Sequence, residues 1–214
     1  MQEGNSRTLF YNKGLKQLEM REEEEMQYII RIAEEKDAQE IHDIYGAYVE
    51  RLDITFTVVN PSVDEYRKKI RETKIQYPFF VAEDEDGRIL GYCYGSRLRP
   101  HDAYKWNVES TIMLSPDAPR RKGIATNLYS HFFEALKKQH YQYVYAVIVD
   151  INEPSIALHN SLGFKEVGHF ENAGYKAGTW LGITWMQKFI GNLGEEVKEP
   201  TAFDLSNVSS FIGK

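Results

Sequence analysis

The chain has 214 residues, 42% hydrophobic and 27% charged, with a formal net charge of −6. That describes a globular protein, one domain with appended ends at this length, and the acidic balance excludes the basic footprint of non-specific nucleic-acid binding. One cysteine, Cys93, excludes a disulfide framework and a cysteine zinc site; with no apolar run of ~18 residues and no secretory h-region, a cytoplasmic protein without a membrane anchor is expected.

In chain order, residues 1–26 read as an N-terminal extension in which GLKQLEMREEEEM has short-helix character, the acidic run Glu22–Glu25 being a solvated face. A domain is expected over 27–190. It opens with QYIIRIA (27–33), a strand apolar on both faces near its start. Asp37 then offers an N-cap, followed by Ile41, Ile44, Tyr45, Tyr48 and Leu52 at helical spacing. A second helix is predicted over 62–75, since Ser62 precedes Glu65 at the spacing of a capping box, although its apolar stripe is thin.

From Pro78 the period changes. PFFVAE (78–83) and ILGYCYGSRL (89–98) flank a DEDGR turn with Gly87 at its apex and read as a β-hairpin, and VESTIMLS (108–115) reads as another strand. Ile124, Leu128, Phe132, Phe133 and Leu136 mark an amphipathic helix over 123–137. YQYVYAVIVD (141–150) reads as a central strand buried on both faces. A short helix follows from Pro154 to Leu162, ended by Gly163, then strands FKEVGHF (164–170) and TWLGITWMQKF (179–189), and a polar tail (191–214) with little core-forming content. The order β-α-α-β-β-β-α-β-α-β-β implies a mixed α/β layer. It departs from a doubly wound dinucleotide fold, and no G-x-G-x-x-G follows the first strand.

PRRKGIA (119–125) sits where a strand passes into a helix. A helix start leaves four N–H groups without intrahelical partners and carries partial positive charge. Gly123 and Ala125 keep the approach open, Arg120, Arg121 and Lys122 add charge, and Thr126 offers a hydroxyl, so the stretch suits a pyrophosphate. A harmless basic helix start is the competing reading.

RRKGIA, between VESTIML and TNLYSHFFEAL, resembles motif A of the GCN5-related N-acetyltransferases (GNAT). YPFFVAE, GYCYGSRLRPHDAYKWNVEST, RRKGIATNLYSHFFEAL, AVIVDINEPSIALHNSLGF and AGYKAGTW together look like the phosphinothricin N-acetyltransferase branch, from about Gln27 to Phe189. The resemblance implies a GNAT fold: a mixed, mostly antiparallel, splayed sheet with helices on both faces. It also implies acetyl-CoA as donor and no metal. The pantetheine arm would pair with the backbone of Ile112, Met113 and Leu114. The pyrophosphate would rest on the amides of Arg121, Lys122, Gly123, Ile124, Ala125 and Thr126, beside Arg120. Asn152 and Ser155 occupy positions that contact the cofactor arm in similar enzymes, and Asn152 is equally placed to cap a helix.

Acetyl transfer to an amine needs a neutral nucleophile. Glu109 matches the glutamate that such enzymes are thought to use as base; a structural ion pair is the alternative role for a strand carboxylate. His159 falls near a tyrosine that many GNAT members use to protonate the departing thiolate, and a packed histidine is the alternative. His42, His131 and His140 show no metal-ligand spacing. Arg99 lines up with a cation in relatives that act on amino-acid analogues, where an arginine fork grips a carboxylate, and Tyr104 and Trp106 are candidate pocket walls. Close relatives tend to carry His-Asp where this chain has Leu181-Gly182, and His101 also departs from their pattern. Both changes fall on the acceptor side. The implied activity is N-acetylation of a small amino acid or analogue, without a covalent intermediate, by an enzyme that commonly pairs two subunits. A peptide or protein acetyltransferase and a non-catalytic CoA-binding module are the alternatives.

Overall fold

Alternating and helically spaced segments settle into seven strands and four helices in the computed structural model, which describes residues 27–50, 54–192, 194 and 196–204. In chain order these are β1 (Tyr28–Ile32), α1 (Ala38–Glu50), α2 (Val63–Gln76), β2 (Phe79–Asp84), β3 (Ile89–Arg97), β4 (Asn107–Leu114), α3 (Ile124–Lys138), β5 (Tyr143–Val149), α4 (Glu153–Ser161), β6 (Lys165–Lys176) and β7 (Thr179–Phe189). The sheet order is β1-β2-β3-β4-β5-β7-β6. Every pairing is antiparallel except β4–β5, where the α3 crossover requires a parallel one.

Helices cover both faces. Tyr66 and Ile70 of α2 and Ile41 and Ile44 of α1 bury against Phe79, Val81 and Tyr92 on one face. Leu128, Phe132 and Leu136 of α3 bury against Phe80, Cys93, Val144 and Ala146 on the other. β4 pairs with β3 along Val108–Leu114 but with β5 only along Asn107–Glu109, so the two central strands part from Ser110 onward. This is the splay, and it positions the site.

Several elements differ from the sequence reading. A 3-10 turn, Glu35–Asp37, leads into α1, and its cap is Glu34, whose N–H donates to the Asp37 carboxylate (2.8 Å). Asp37 is buried and held in a fork by Arg31, which also pairs with Glu83. At Ser62 the capping box forms as expected. Ile29 is half exposed because β1 is an edge strand with no layer outside it. β5 buries only one face fully; Tyr143, Tyr145 and Val147 on the other are half-buried. β6 runs six residues past Phe170 to a turn at Ala177 and Gly178, since pairing with β7 sustains a strand that its polar sequence does not advertise. The C-terminal tail adds to the core at Phe203, which is buried and edge-on to Phe80, while Thr201 bonds Gln139 and Gln76. The N-terminal extension, Leu52 and residues 205–214 lie outside the described residues.

Candidate active site

Alternation along β4 puts Glu109, Thr111 and Met113 on one face, and cross-strand pairing sets them opposite Ser96, Tyr94 and Tyr92 of β3. Above this face lies a cavity of about 390 Å³. Its walls are Tyr45 of α1, residues 54–57 and Pro61 of the α1–α2 connection, Tyr66 and Lys69 of α2, Val147 and Val149 of β5, and Ile183 of β7. Of the half-buried β5 side chains, Val147 is thus a cavity wall.

Glu109 is the carboxylate on this wall. Burial raises its pKa above the usual carboxylate range, and the Arg99 charge pulls it back. Among the described residues its carboxylate has no hydrogen bond or ion pair. Lys69 reaches over the Tyr94 ring, 4.3 Å from its centroid, and donates to the Tyr94 hydroxyl. Arg99 stacks on Trp185 (4.9 Å) and donates to the Leu98 carbonyl, outside the cavity wall. Tyr104 is exposed and Trp106 donates its indole N–H to Lys198 O under the C-terminal segment, so neither lines the cavity.

Two contacts hold the α1–α2 connection. Lys176, buried on β6, donates to Val49 O (3.3 Å) and Thr55 O (2.8 Å). The Phe56 ring lies so close over Gly174 that a Cβ there would overlap it.

The splay opens beside the same wall. The Ser115 N–H donates to Leu90 O, so by strand alternation Met113 turns its backbone groups toward β3, while Ile112 and Leu114 turn theirs into the splay. There the Leu114 carbonyl accepts from the Tyr48 hydroxyl (2.6 Å). At the start of α3, Arg121 (φ 62°) and Gly123 (φ 76°) are both left-handed, which curls the chain into a concave turn below the free N–H groups of Ile124, Ala125 and Thr126. Arg120, Arg121 and Thr126 are exposed around it, and Lys122 is half-buried. An extended arm ending in a pyrophosphate fits this arrangement, the Ile112 edge offering unpaired backbone and the turn offering N–H donors.

On α4, Asn152 is the N-cap: its side-chain oxygen accepts from the Ser155 N–H (3.3 Å). His159 is 2% exposed, and both ring nitrogens are engaged, one by the Tyr129 hydroxyl and one by Ser155 O. Burial lowers its pKa. Cys93 is buried, and desolvation raises its thiol pKa far above the ordinary value, which removes it as a nucleophile.

The structure therefore gathers Glu109 and Met113 with residues that the sequence did not mark as site candidates: Tyr45, Thr55, Thr57, Tyr66, Lys69, Tyr92, Tyr94 and Thr111. A usable signal was Tyr92 and Tyr94, two residues apart and so on one strand face. The α1–α2 residues gave none.

The chain is similar in sequence and in fold to known proteins. Residues 30–185 match the family model described as an acetyltransferase (GNAT) domain. The phosphinothricin N-acetyltransferase of Streptomyces viridochromogenes is 33% identical over 159 residues, 74% of this chain and 86% of that protein. An L-methionine sulfoximine/L-methionine sulfone acetyltransferase of Salmonella typhimurium is 30% identical, with 74% and 92% covered. A GNAT phosphinothricin acetyltransferase of Sinorhizobium meliloti, solved in complex with acetyl-CoA, superposes with a TM-score of 0.72 at 35% identity, covering 82% of this chain and 94% of that one.

Proposed function

The chain belongs to the GNAT acetyltransferase family, and from that premise we propose that it transfers the acetyl group of acetyl-CoA to the primary amine of a small amino acid or amino-acid analogue. The observation that carries this reading is Glu109, a partly desolvated carboxylate without an ion-pair partner among the described residues, on the wall of the cavity beside the splay. The relatives' names supply the acceptor class: phosphinothricin and methionine sulfoximine are amino-acid analogues with a free amine.

In this mechanism the splayed edge of β4 holds the donor's arm through Ile112, with Met113 and Leu114 beside it. The turn Arg120–Thr126 holds its pyrophosphate, and Asn152 and Ser155 flank it. Bound there, the donor supplies an activated thioester. The acceptor ammonium lies in the cavity against Glu109, whose carboxylate takes its proton; a carboxylate raised toward neutrality is a better match to an amine than an ordinary one. Tyrosines and aliphatic side chains line the cavity, while Arg99, beyond its wall, and the exposed Lys69 on it attract an anionic acceptor. His159 contributes through its hydrogen-bond chain, since its ring does not reach the cavity. Tyr104 and Trp106 have no part in this mechanism.

The same reading takes 27–190 as the catalytic unit, 1–26 as an extension and 191–214 as a tail partly packed on it. It also takes the protein as a cytoplasmic homodimer. Exposed Val167, Phe170, Tyr175 and Trp180 on the β6–β7 hairpin support self-association, and no described helix is long and apolar enough to cross a membrane.

A panel of amino acids, their analogues and short peptides, assayed for CoA release, tests the function. Turnover of free amino acids or analogues is expected. Peptide-only turnover would replace the small-acceptor reading, and tight acetyl-CoA binding without any turnover would replace the enzyme reading.

A further inference from the structure

The point where β4 and β5 part carries a buried hydrogen-bond chain whose role the mechanism above does not specify. Glu109–Tyr145 is the last β4–β5 pair, and the next residue, Ser110, bonds the strand it is leaving: its hydroxyl donates to Tyr145 O (3.0 Å). The same hydroxyl lies 3.0 Å from the Tyr129 hydroxyl of α3, which in turn lies 2.7 Å from His159 Nε2 on α4. The chain ends at His159 Nδ1, 2.7 Å from Ser155 O. Ser110, Tyr129 and His159 are 7%, 0% and 2% exposed.

Proton counting fixes the arrangement. A carbonyl oxygen only accepts, so His159 Nδ1 carries a hydrogen and donates it to Ser155 O. The imidazole, desolvated, stays neutral and leaves Nε2 bare, so the Tyr129 O–H donates to Nε2. Ser110 then has one proton for two acceptors, Tyr145 O and the Tyr129 oxygen. Four elements are tied at the fork by polar groups that water cannot replace. The Tyr129 ring is itself fixed, stacked on Phe133 (5.0 Å) and edge-on to His159 (5.4 Å).

We infer that Ser110, Tyr129 and His159 form a buried polar wedge that sets where β4 and β5 separate, and that Tyr129 is thereby a positioning residue for the acetyl-CoA groove. His159 lies one helical turn after Ser155, so fixing its ring fixes the rotation of α4. That rotation in turn sets the direction of Asn152 and Ser155, which the groove reading places beside the donor's arm. The wedge rests on the groove reading given under Proposed function.

Tyr129→Phe keeps the ring and deletes the hydroxyl; Ser110→Ala removes the other end of the wedge and serves if the first variant folds poorly. CoA binding to the full chain, measured by titration calorimetry, should weaken about tenfold in each, the scale of one lost buried hydrogen bond. The acceptor KM should stay at its wild-type value. Tyr141→Phe is the control. It deletes another buried tyrosine hydroxyl, bonded to Gln76 far along the chain, and should lower Tm without changing CoA affinity. Nitrogen-15 spectra of the ligand-free protein should show His159 as the neutral Nδ1–H tautomer, with the Nε2 resonance shifting in Tyr129→Phe. Wild-type CoA affinity in both folded variants, or a hydrogen on His159 Nε2, overturns the wedge. A wild-type chain that binds no CoA would instead overturn the groove reading, and the spectra would still decide whether the hydrogen bonds exist.

Discussion

In the proposed mechanism the donor side of the site and the acceptor side are made of different materials. Below the start of α3 the binding surface is backbone: two left-handed residues, Arg121 and Gly123, and the N–H groups of a helix start. Beside it the β4 edge offers more backbone, released by the loss of β5 pairing after Glu109. The cavity on the other face is made of side chains, drawn from α1, the α1–α2 connection, α2, β3, β4, β5 and β7. A surface of backbone binds one invariant chemical handle, and a surface of side chains can change acceptor without disturbing the fold. The difference predicts that damage on one side should change the kinetics for one substrate and spare the other.

Glu109 belongs to both sides, and its loss should give the largest effect. Glu109→Gln keeps shape and removes the proposed base, so kcat should fall by roughly 10²–10⁴ while acetyl-CoA still binds. Steady-state rates across pH, with calorimetric CoA binding as the control, check it. A variant with full rate at every pH would mean that the base lies elsewhere.

Lys176→Met attacks the acceptor side alone. It leaves Val49 O and Thr55 O without their buried donor, a loss on the order of 1–3 kcal/mol. Residues 54–57 should relax, and the acceptor KM should rise about tenfold, while the acetyl-CoA KM holds. An equal rise in both would show that the two sides are mechanically one.

On the donor side, Gly123→Ala meets no steric obstacle: the nearest atom to the new methyl is the Tyr28 hydroxyl at 3.9 Å. Its cost is the left-handed φ of 76°, about 1–2 kcal/mol for a residue with a Cβ. The turn should flatten and the acetyl-CoA KM rise several-fold, with the acceptor KM unchanged. Selective loss of acceptor affinity would contradict the assignment of this turn to the donor.

The same contrast explains what the sequence could convey. PRRKGIA is contiguous, so its glycine, its cations and its place between strand and helix can be read together. Glu109 stood in a recognisable strand, and alternation put Thr111 and Met113 with it. The acceptor wall has no such unit. Lys69 lies on a helix with a thin apolar stripe, and which strand face would become a cavity depends on where the α1–α2 connection crosses. Lys176 ran against expectation, because a lysine is almost never buried without a partner, and here the partners are carbonyls of a distant segment. Phe203 is one aromatic residue in a polar stretch, with no period to mark it, and only tertiary packing gives it a place.

The smallest expected effect concerns stability, and it separates the site's chemistry from its fold. Burial raises the Glu109 carboxyl above its unfolded value. A carboxyl shifted upward favours folding below its unfolded pKa, and that contribution is lost as pH rises through the folded value. Where Glu109 is ionised it is therefore a load on the native state. Glu109→Gln, neutral throughout, should melt a few degrees above wild type at pH 7–8, and the gap should close as pH falls toward the unfolded carboxyl range. His159 acts in the opposite sense. Its value is lowered by burial, so its contribution is present above the unfolded value of about 6.5 and is lost as pH falls through the folded one. It is the same in both proteins and cancels from the difference. Thermal melts of the pair across pH 4–8 isolate Glu109. A constant gap would mean that its carboxylate is as well solvated as an exposed one, and that a buried base is the wrong description of the catalytic wall.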